Sequence, residues 1–219
     1  MKSNDRVEHL PRTVANLRAC GAVPAARMLL GWRIVRVMPD GSRLVARIVE
    51  TEAYPPGDPA SHAYRGLTRR NGAMFEAPGT AYVYLIYGMY WCLNVVTGPS
   101  GAGEAVLIRG LDGVEGCDGP GKLCRSLDVD DRFDGARLLS RTGDLRLMVP
   151  SEDPREPTVV TTRIGLTKAA DRPLRFYLAG SPGVSRRDRV AESLVRVDDR
   201  RVQPGAPRSI RYRSEPAAD

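Results

Sequence analysis

The chain is short of lysine, histidine and paired cysteine. Of its 33 basic residues only Lys2, Lys122 and Lys168 are lysine, so arginine carries the charge. The histidines are His9 and His62, and the four cysteines Cys20, Cys92, Cys117 and Cys124 form no C-x-x-C pair. Both the spacing and the ligand supply of a zinc site are therefore missing, and reduced, buried thiols are the expectation. No apolar run approaches the roughly 18 residues that cross a bilayer. The polar start Met1–Arg6 leads into no signal-peptide core. These absences point to a soluble, cytoplasmic protein with no membrane partner.

What is present is enough for one core. At 219 residues and 42% hydrophobic composition, a single domain is the default. A net charge of +7 favours a polyanionic partner. Guanidinium forks suit phosphate, although a GC-rich genome would also raise the arginine content.

Residues 1–9 read as a flexible start and 198–219 as a flexible Arg- and Pro-rich tail, leaving 10–197 as the domain. Arg12–Cys20 and Pro24–Gly31 read as short helices, the second with proline in its first turn and glycine past its end. Trp32–Met38 and Arg43–Tyr54 form an expected hairpin about Pro39-Asp40-Gly41. Residues 55–70 read as a long surface loop, and Asn71–Glu76 as a short helix. Strands are expected over Thr80–Tyr87, Tyr90–Val96, Ala105–Leu111, Leu145–Val149, Thr158–Ile164 and Leu174–Leu178. Further short helices are expected over Pro120–Leu127 and Asp134–Ser140. The pattern is α+β: one curved, mainly antiparallel sheet with short helices around it.

Two segments carry chemistry. Residues 48–64 (IVETEAYPPGDPASHAY) end a strand with a carboxylate, a tyrosine and a histidine. Strand alternation puts Glu50 and Glu52 on one face, about 7 Å apart. Such a pair is compatible with glycosidase chemistry, but carboxylates two apart on one strand cannot flank opposite faces of a sugar ring. Pairing of Glu50 with an arginine on a solvated face is the plainer reading, whereas Glu52 stands at the strand end beside Tyr54.

The second segment, Tyr82–Tyr90 (YVYLIYGMY), places Tyr82 and Tyr84 on one face and Tyr87 before the turn glycine Gly88. A ring there should protrude, and a protruding ring can wedge into a base stack. Its neighbours could hold a base by its π-face. His62 reads either as an ordinary loop histidine or as part of that grip. Asn94 lies in an apolar strand, so it is a structural link or a pocket reader. Arg109 ends the run Ala105–Ile108, where it pairs with Glu52 or leaves the sheet. A basic chain with a carboxylate beside stacked phenols is suited either to base excision or to non-catalytic nucleic-acid binding on a tyrosine platform.

Together these residues resemble the alkyladenine (3-methyladenine) DNA glycosylase family, the mammalian type that also occurs in bacteria. The resemblance runs from Ala26 to Glu192. It rests on 26–31 (ARMLLG), 49–54 (VETEAY), 68–75 (TRRNGAMF), 78–90 (PGTAYVYLIYGMY), Leu93-Asn94 and 106–109 (VLIR), then on 119–124 (GPGKLC), 163–165 (RIG), 173–177 (PLRFY) and 180–185 (GSPGVS). It departs from the family in a slightly short 55–61 loop and in the turn over 98–103.

The resemblance implies roles. Glu52 corresponds to the general base that activates water, and Arg109 to the arginine that helps hold that water. Tyr54, His62 and Tyr84 match the residues that grip the everted base. Asn94 matches the pocket-floor asparagine that disfavours guanine, and Tyr87 the intercalating tyrosine. The family uses neither metal nor nicotinamide cofactor. The implied partner is double-stranded DNA carrying damaged purines, met by a monomer associated with the bacterial nucleoid. No lysine falls at a site position to form a Schiff base, so a monofunctional enzyme is expected.

Overall fold

The computed structural model describes residues 13–195, and the expected flexible ends at 1–9 and 198–219 lie outside them. Helices α1 (Val14–Ala19) and α2 (Ala22–Leu29) lead into the hairpin of β1 (Arg33–Val37) and β2 (Arg43–Tyr54). Then follow β3 (Ala81–Ile86), β4 (Tyr90–Thr97), β5 (Glu104–Asp112), α3 (Pro120–Ser126), β6 (Leu145–Met148), β7 (Thr158–Thr161), β8 (Arg175–Leu178) and α4 (Arg189–Leu194). The strands make one sheet in the order β3-β4-β5-β2-β1-β6, with β8 joining β2 and β7 joining β8. Every pairing is antiparallel. The expected α+β class and curved sheet are therefore observed. Helix α4, capped by the Asp188 side chain on Ala191 N, is additional to the elements read from sequence.

Strand β2 organises the sheet. Its register against β5 slips on both sides of Glu50, which marks a β-bulge. A bulge bends its strand and raises the local twist. One edge of β2 runs along β5; the other meets β1 through Arg43–Arg47 and then β8 through Glu50–Glu52. The bend thus closes the sheet into a half-barrel around its main core.

Alternation sorts the two faces. Val49, Ala53, Val83, Leu93, Val95, Val106 and Ile108 join the main core with Trp32, Leu29 and Phe176. Tyr82, Val96 and Ala105 turn the other way, with Tyr54 and Tyr84 packed beside them. Helix α2 locks onto the core face of β2, where Thr51 Oγ1 donates to the Ala26 carbonyl at 2.9 Å.

Strand β3 is an edge strand, and open edges invite pairing with other chains. Here it is covered. Ala81 N donates to the Ala136 carbonyl and Gly135 N to the Ala81 carbonyl, while Asp134 Oδ1 accepts from Val83 N at 2.8 Å. Arg70 Nη2 donates to the Leu85 carbonyl at 2.7 Å. The helix expected over Asp134–Ser140 is consequently absent: those backbone groups bond the β3 edge, with an isolated bridge between Arg137 and Thr80. The 3-10 turn Arg69–Phe75 covers most of the span expected as a helix from Asn71, and Thr68 and Asn71 form a capping box at its start.

Two glycines fit a close approach. A Cβ on Gly183 would lie 2.1 Å from the Leu111 carbonyl oxygen, and one on Gly110 would lie 2.2 Å from that of Gly183. This contact seats the 180–185 segment against β5. It also delivers the Ser185 amide to Glu50.

Candidate active site

The carboxylates of Glu50 and Glu52 point to the same side of β2 and both are wholly buried. Glu50 is held by Arg175 Nη1 at 2.8 Å and by Ser185 N at 2.7 Å. Its partner is an arginine, as read from sequence, but the face is buried and not solvated. The β8 strand and the 180–185 segment cover it.

Glu52 is gripped differently. Its Oε1 accepts from Ile164 N at 2.8 Å and lies 3.3 Å from Arg109 Nη1; its Oε2 accepts from the Tyr54 hydroxyl at 2.9 Å. The strand expected over Thr158–Ile164 stops at Thr161, and that early departure is what turns the Ile164 amide toward Glu52. Burial, with the Glu52 charge as a further cause, pushes the Tyr54 hydroxyl pKa far up, so Tyr54 is a neutral donor.

A row of partners crosses the sheet in front of this carboxylate. Tyr82 pairs with Asn94, Asn94 with Leu107, and Leu107 with Glu52. Asn94 Nδ2 donates to the Tyr82 carbonyl at 3.0 Å in a buried position. That bond is a structural link, one of the two readings from sequence. Tyr84 sits one step along β3, its ring centroid 5.4 Å from that of Tyr82. His62 meets Tyr84 edge-on at 4.5 Å, and its Nδ1 is 2.8 Å from the Tyr82 hydroxyl. Burial lowers the His62 pKa, and the nearby Arg70 charge adds to the effect. The structure thus gathers Glu52, Tyr54, His62, Tyr84, Asn94 and Arg109 on one face.

Tyr87 stands apart, at the tip of the β3–β4 hairpin. It is 80% exposed with φ 54°, next to Gly88 at φ 69°. Positive φ at both central positions is the type I′ pattern, whose twist matches a hairpin. Met89 and Tyr90 are exposed beside it, so the tip presents a small apolar patch.

Sequence reading missed one residue outright. Asp58 lies in the 55–70 loop, expected to be on the surface, yet it is wholly buried against Arg163 in a bidentate ion pair. Arg163 also donates to the Ala53 carbonyl at 3.0 Å and places its guanidinium 4.6 Å from the centre of the Tyr54 ring. The loop is therefore anchored under the site. Nothing in Gly57-Asp58-Pro59 separates a buried anchor from an ordinary turn aspartate.

Comparison with known proteins fits this arrangement. The sequence profile of the methylpurine-DNA glycosylase family matches residues 17–182. A protein from Methanoculleus marisnigri, provisionally named 3-methyladenine DNA glycosylase, is 48% identical over 184 residues, spanning 75% of this chain and 94% of its own. A Synechococcus elongatus protein with the same provisional name is 49% identical over 177 residues, spanning 78% and 90%. Human DNA-3-methyladenine glycosylase is 41% identical over 215 residues, spanning 84% of this chain and 71% of the human protein. Fold, site and relatives together define an enzyme of the DNA glycosylase class, a base-excision repair hydrolase whose substrate is DNA. Within that class the chain belongs to the methylpurine-DNA glycosylase family.

Proposed function

We propose that this enzyme everts alkylated or deaminated purines from duplex DNA and hydrolyses their N-glycosidic bond with a water activated by Glu52. Substrates of this kind are 3-methyladenine, 7-methylguanine, hypoxanthine and ethenoadenine. The observation that carries the reading is the setting of Glu52, buried and fixed by Ile164 N, Arg109 and Tyr54 on the face that also carries Tyr84 and His62.

The chemistry follows from that setting. The target carbon is unreachable inside a duplex, so the nucleotide rotates out at a cost of a few kcal/mol, least for damaged bases. Tyr87 fills the gap from the minor groove. Tyr54, Tyr84 and His62 hold the base, a stack being worth about 1–3 kcal/mol. Each carboxylate oxygen has two lone pairs, so Oε2 can accept from water beside the Tyr54 hydroxyl. Glu52 takes a proton from the water as its oxygen bonds to the sugar carbon. The C–N bond breaks with its electron pair passing to the purine, which leaves neutral if it was cationic. A neutral purine must first gain a proton from solvent water to leave as a neutral base. The negative charge of Glu52 also stabilises the oxocarbenium-like sugar, and Arg109 keeps the carboxylate in place.

The enzyme is monofunctional. The described lysines, Lys122 and Lys168, are both exposed, and Lys122 is paired with Asp118. Excision at a single lesion requires no symmetry, so we infer a monomer, and we place it on cytoplasmic, nucleoid DNA.

Duplexes carrying one lesion each, scored for alkali-labile abasic sites, test this reading. Glu52→Gln should abolish excision while lesion binding survives. Full excision by that variant would sink the mechanism, and binding without any abasic product in the unaltered protein would make it a non-catalytic relative.

A further inference from the structure

Tyr54 has one face occupied. The Arg163 guanidinium lies 4.6 Å from the ring centre, and the buried Asp58 carboxylate neutralises it from behind. Both charged side chains are wholly buried. If a base stacks on Tyr54, as the proposed function has it, only the opposite face of the ring is available. The phenol is then a shared π-system, with a fixed cation on one side and the purine on the other.

A cation draws ring electron density toward itself, which leaves the far face less negative. That face then attracts a cationic base less strongly, while a neutral base is little affected. We propose that the Asp58–Arg163 pair is a specificity-determining device: it restrains the pocket's preference for cationic alkylpurines and keeps neutral purines competitive. Asp58 sets how much of the arginine's charge Tyr54 feels. Arg163 also keeps the ring in place through the Ala53 carbonyl, so a geometric role and a charge role coexist and must be separated.

The test is the ratio of affinities for two duplexes, one with a single cationic 7-methylguanine and one with a single neutral hypoxanthine. It is measured in a Glu52→Gln background so that chemistry does not intervene. Asp58→Asn leaves the guanidinium uncompensated and should lower the cationic-to-neutral ratio about three- to tenfold. Asp58→Asn with Arg163→Met removes both charges, leaves no unpaired buried ion, and should raise the ratio above that of the unaltered pair. Arg163→Lys keeps the charge and should leave the ratio near its starting value. Thermal melting of each variant shows which are folded, and Arg163→Lys together with Asp58→Asn suffices if the double variant is not. A purely structural role would weaken both duplexes equally, and an unchanged ratio across the folded variants overturns the proposal. The underlying mechanism fails by a different sign, namely excision persisting in Glu52→Gln.

Discussion

Arg109 lies between Glu50 and Glu52, its Nη1 3.3 Å from Oε1 of Glu52 and its Nε 3.6 Å from Oε1 of Glu50. The second distance is an ion pair without a hydrogen bond, and among the described residues this Nε has no hydrogen-bond partner. With Arg175 on the far side of Glu50, two buried carboxylates face two guanidiniums. The strand therefore carries a structural carboxylate and a candidate catalytic one, joined through a shared arginine.

That division can be measured. Glu50→Gln strands the buried charge of Arg175, and breaking such a pair costs about 3–5 kcal/mol. Urea unfolding should show a loss of that order. The folded fraction should still excise lesions faster than Glu52→Gln. Equal inactivity at undiminished stability would move the catalytic assignment to position 50.

His62 provides a pH signature. Its folded pKa lies below the ordinary 6.5 through burial first and Arg70 second. The unfolded chain then binds the proton more readily, so this group's stability is complete above pH 6.5 and lost as the pH falls through the lower folded value. The sequence has only His9 and His62, so two imidazole resonances suffice to follow the titration. His62 should titrate below 6.5, and Arg70→Gln should move it upward. A folded-state midpoint above 6.5 would contradict the burial argument.

Much of this was legible in the sequence, for physical reasons that vary by element. The β1–β2 and β3–β4 hairpins announce themselves by alternation and by turn glycines, so Tyr82 and Tyr84 share a face and Tyr87 protrudes as expected. The segment 134–140 misled because its composition suits a short helix, while its backbone groups are claimed by the β3 edge, a partner more than 50 residues away in sequence. Asp58 and the aim of the Ile164 amide were unreadable for the same reason. One acts through a buried ion pair with Arg163, the other through a bare amide whose aim depends on where β7 ends. Sequence pattern reports which face a strand residue takes; it does not report where an irregular loop returns.

Tyr87 should behave as a binding residue that the fold carries at a cost. A non-glycine residue in the left-handed region is disfavoured by roughly 1–2 kcal/mol. Tyr87→Gly should therefore hold or raise stability by about 1 kcal/mol, and Tyr87→Ala should leave it near its starting value. Both should weaken binding to lesion duplexes by about 1–3 kcal/mol, and Tyr87→Trp should keep most of it. Fluorescence anisotropy with a labelled lesion duplex reads the binding, and thermal melting reads the fold. Undiminished affinity in Tyr87→Gly would remove the tip from the DNA interface.

Glu104 acts at a distance on the element that supports β2. Helix α2 begins after Gly21, which has no side chain to cap it. Glu104 Oε2 accepts from Ala22 N at 2.6 Å instead, from 82 residues further along, and the carboxylate is 5% exposed. Negative charge at a helix start is favourable, and a lost cap costs about 0.5–2 kcal/mol. Glu104→Gln keeps the acceptor and should cost under about 1 kcal/mol; Glu104→Ala also orphans the buried amide and should cost about 2–3 kcal/mol. The neighbouring Cys20 thiol, pushed up to about 11 chiefly by burial and further by the Glu104 charge, gives an independent readout. Its folded pKa exceeds the unfolded one, so its share of stability is present below pH 9.0 and lost as the pH rises toward 11. Glu104→Ala should weaken that alkaline sensitivity and speed alkylation of Cys20 in the native protein, because one cause of the raised pKa is gone. If Glu104→Ala melts like the unaltered chain and Cys20 reacts no faster, the remote cap does not hold α2 against the strand that bears Glu52.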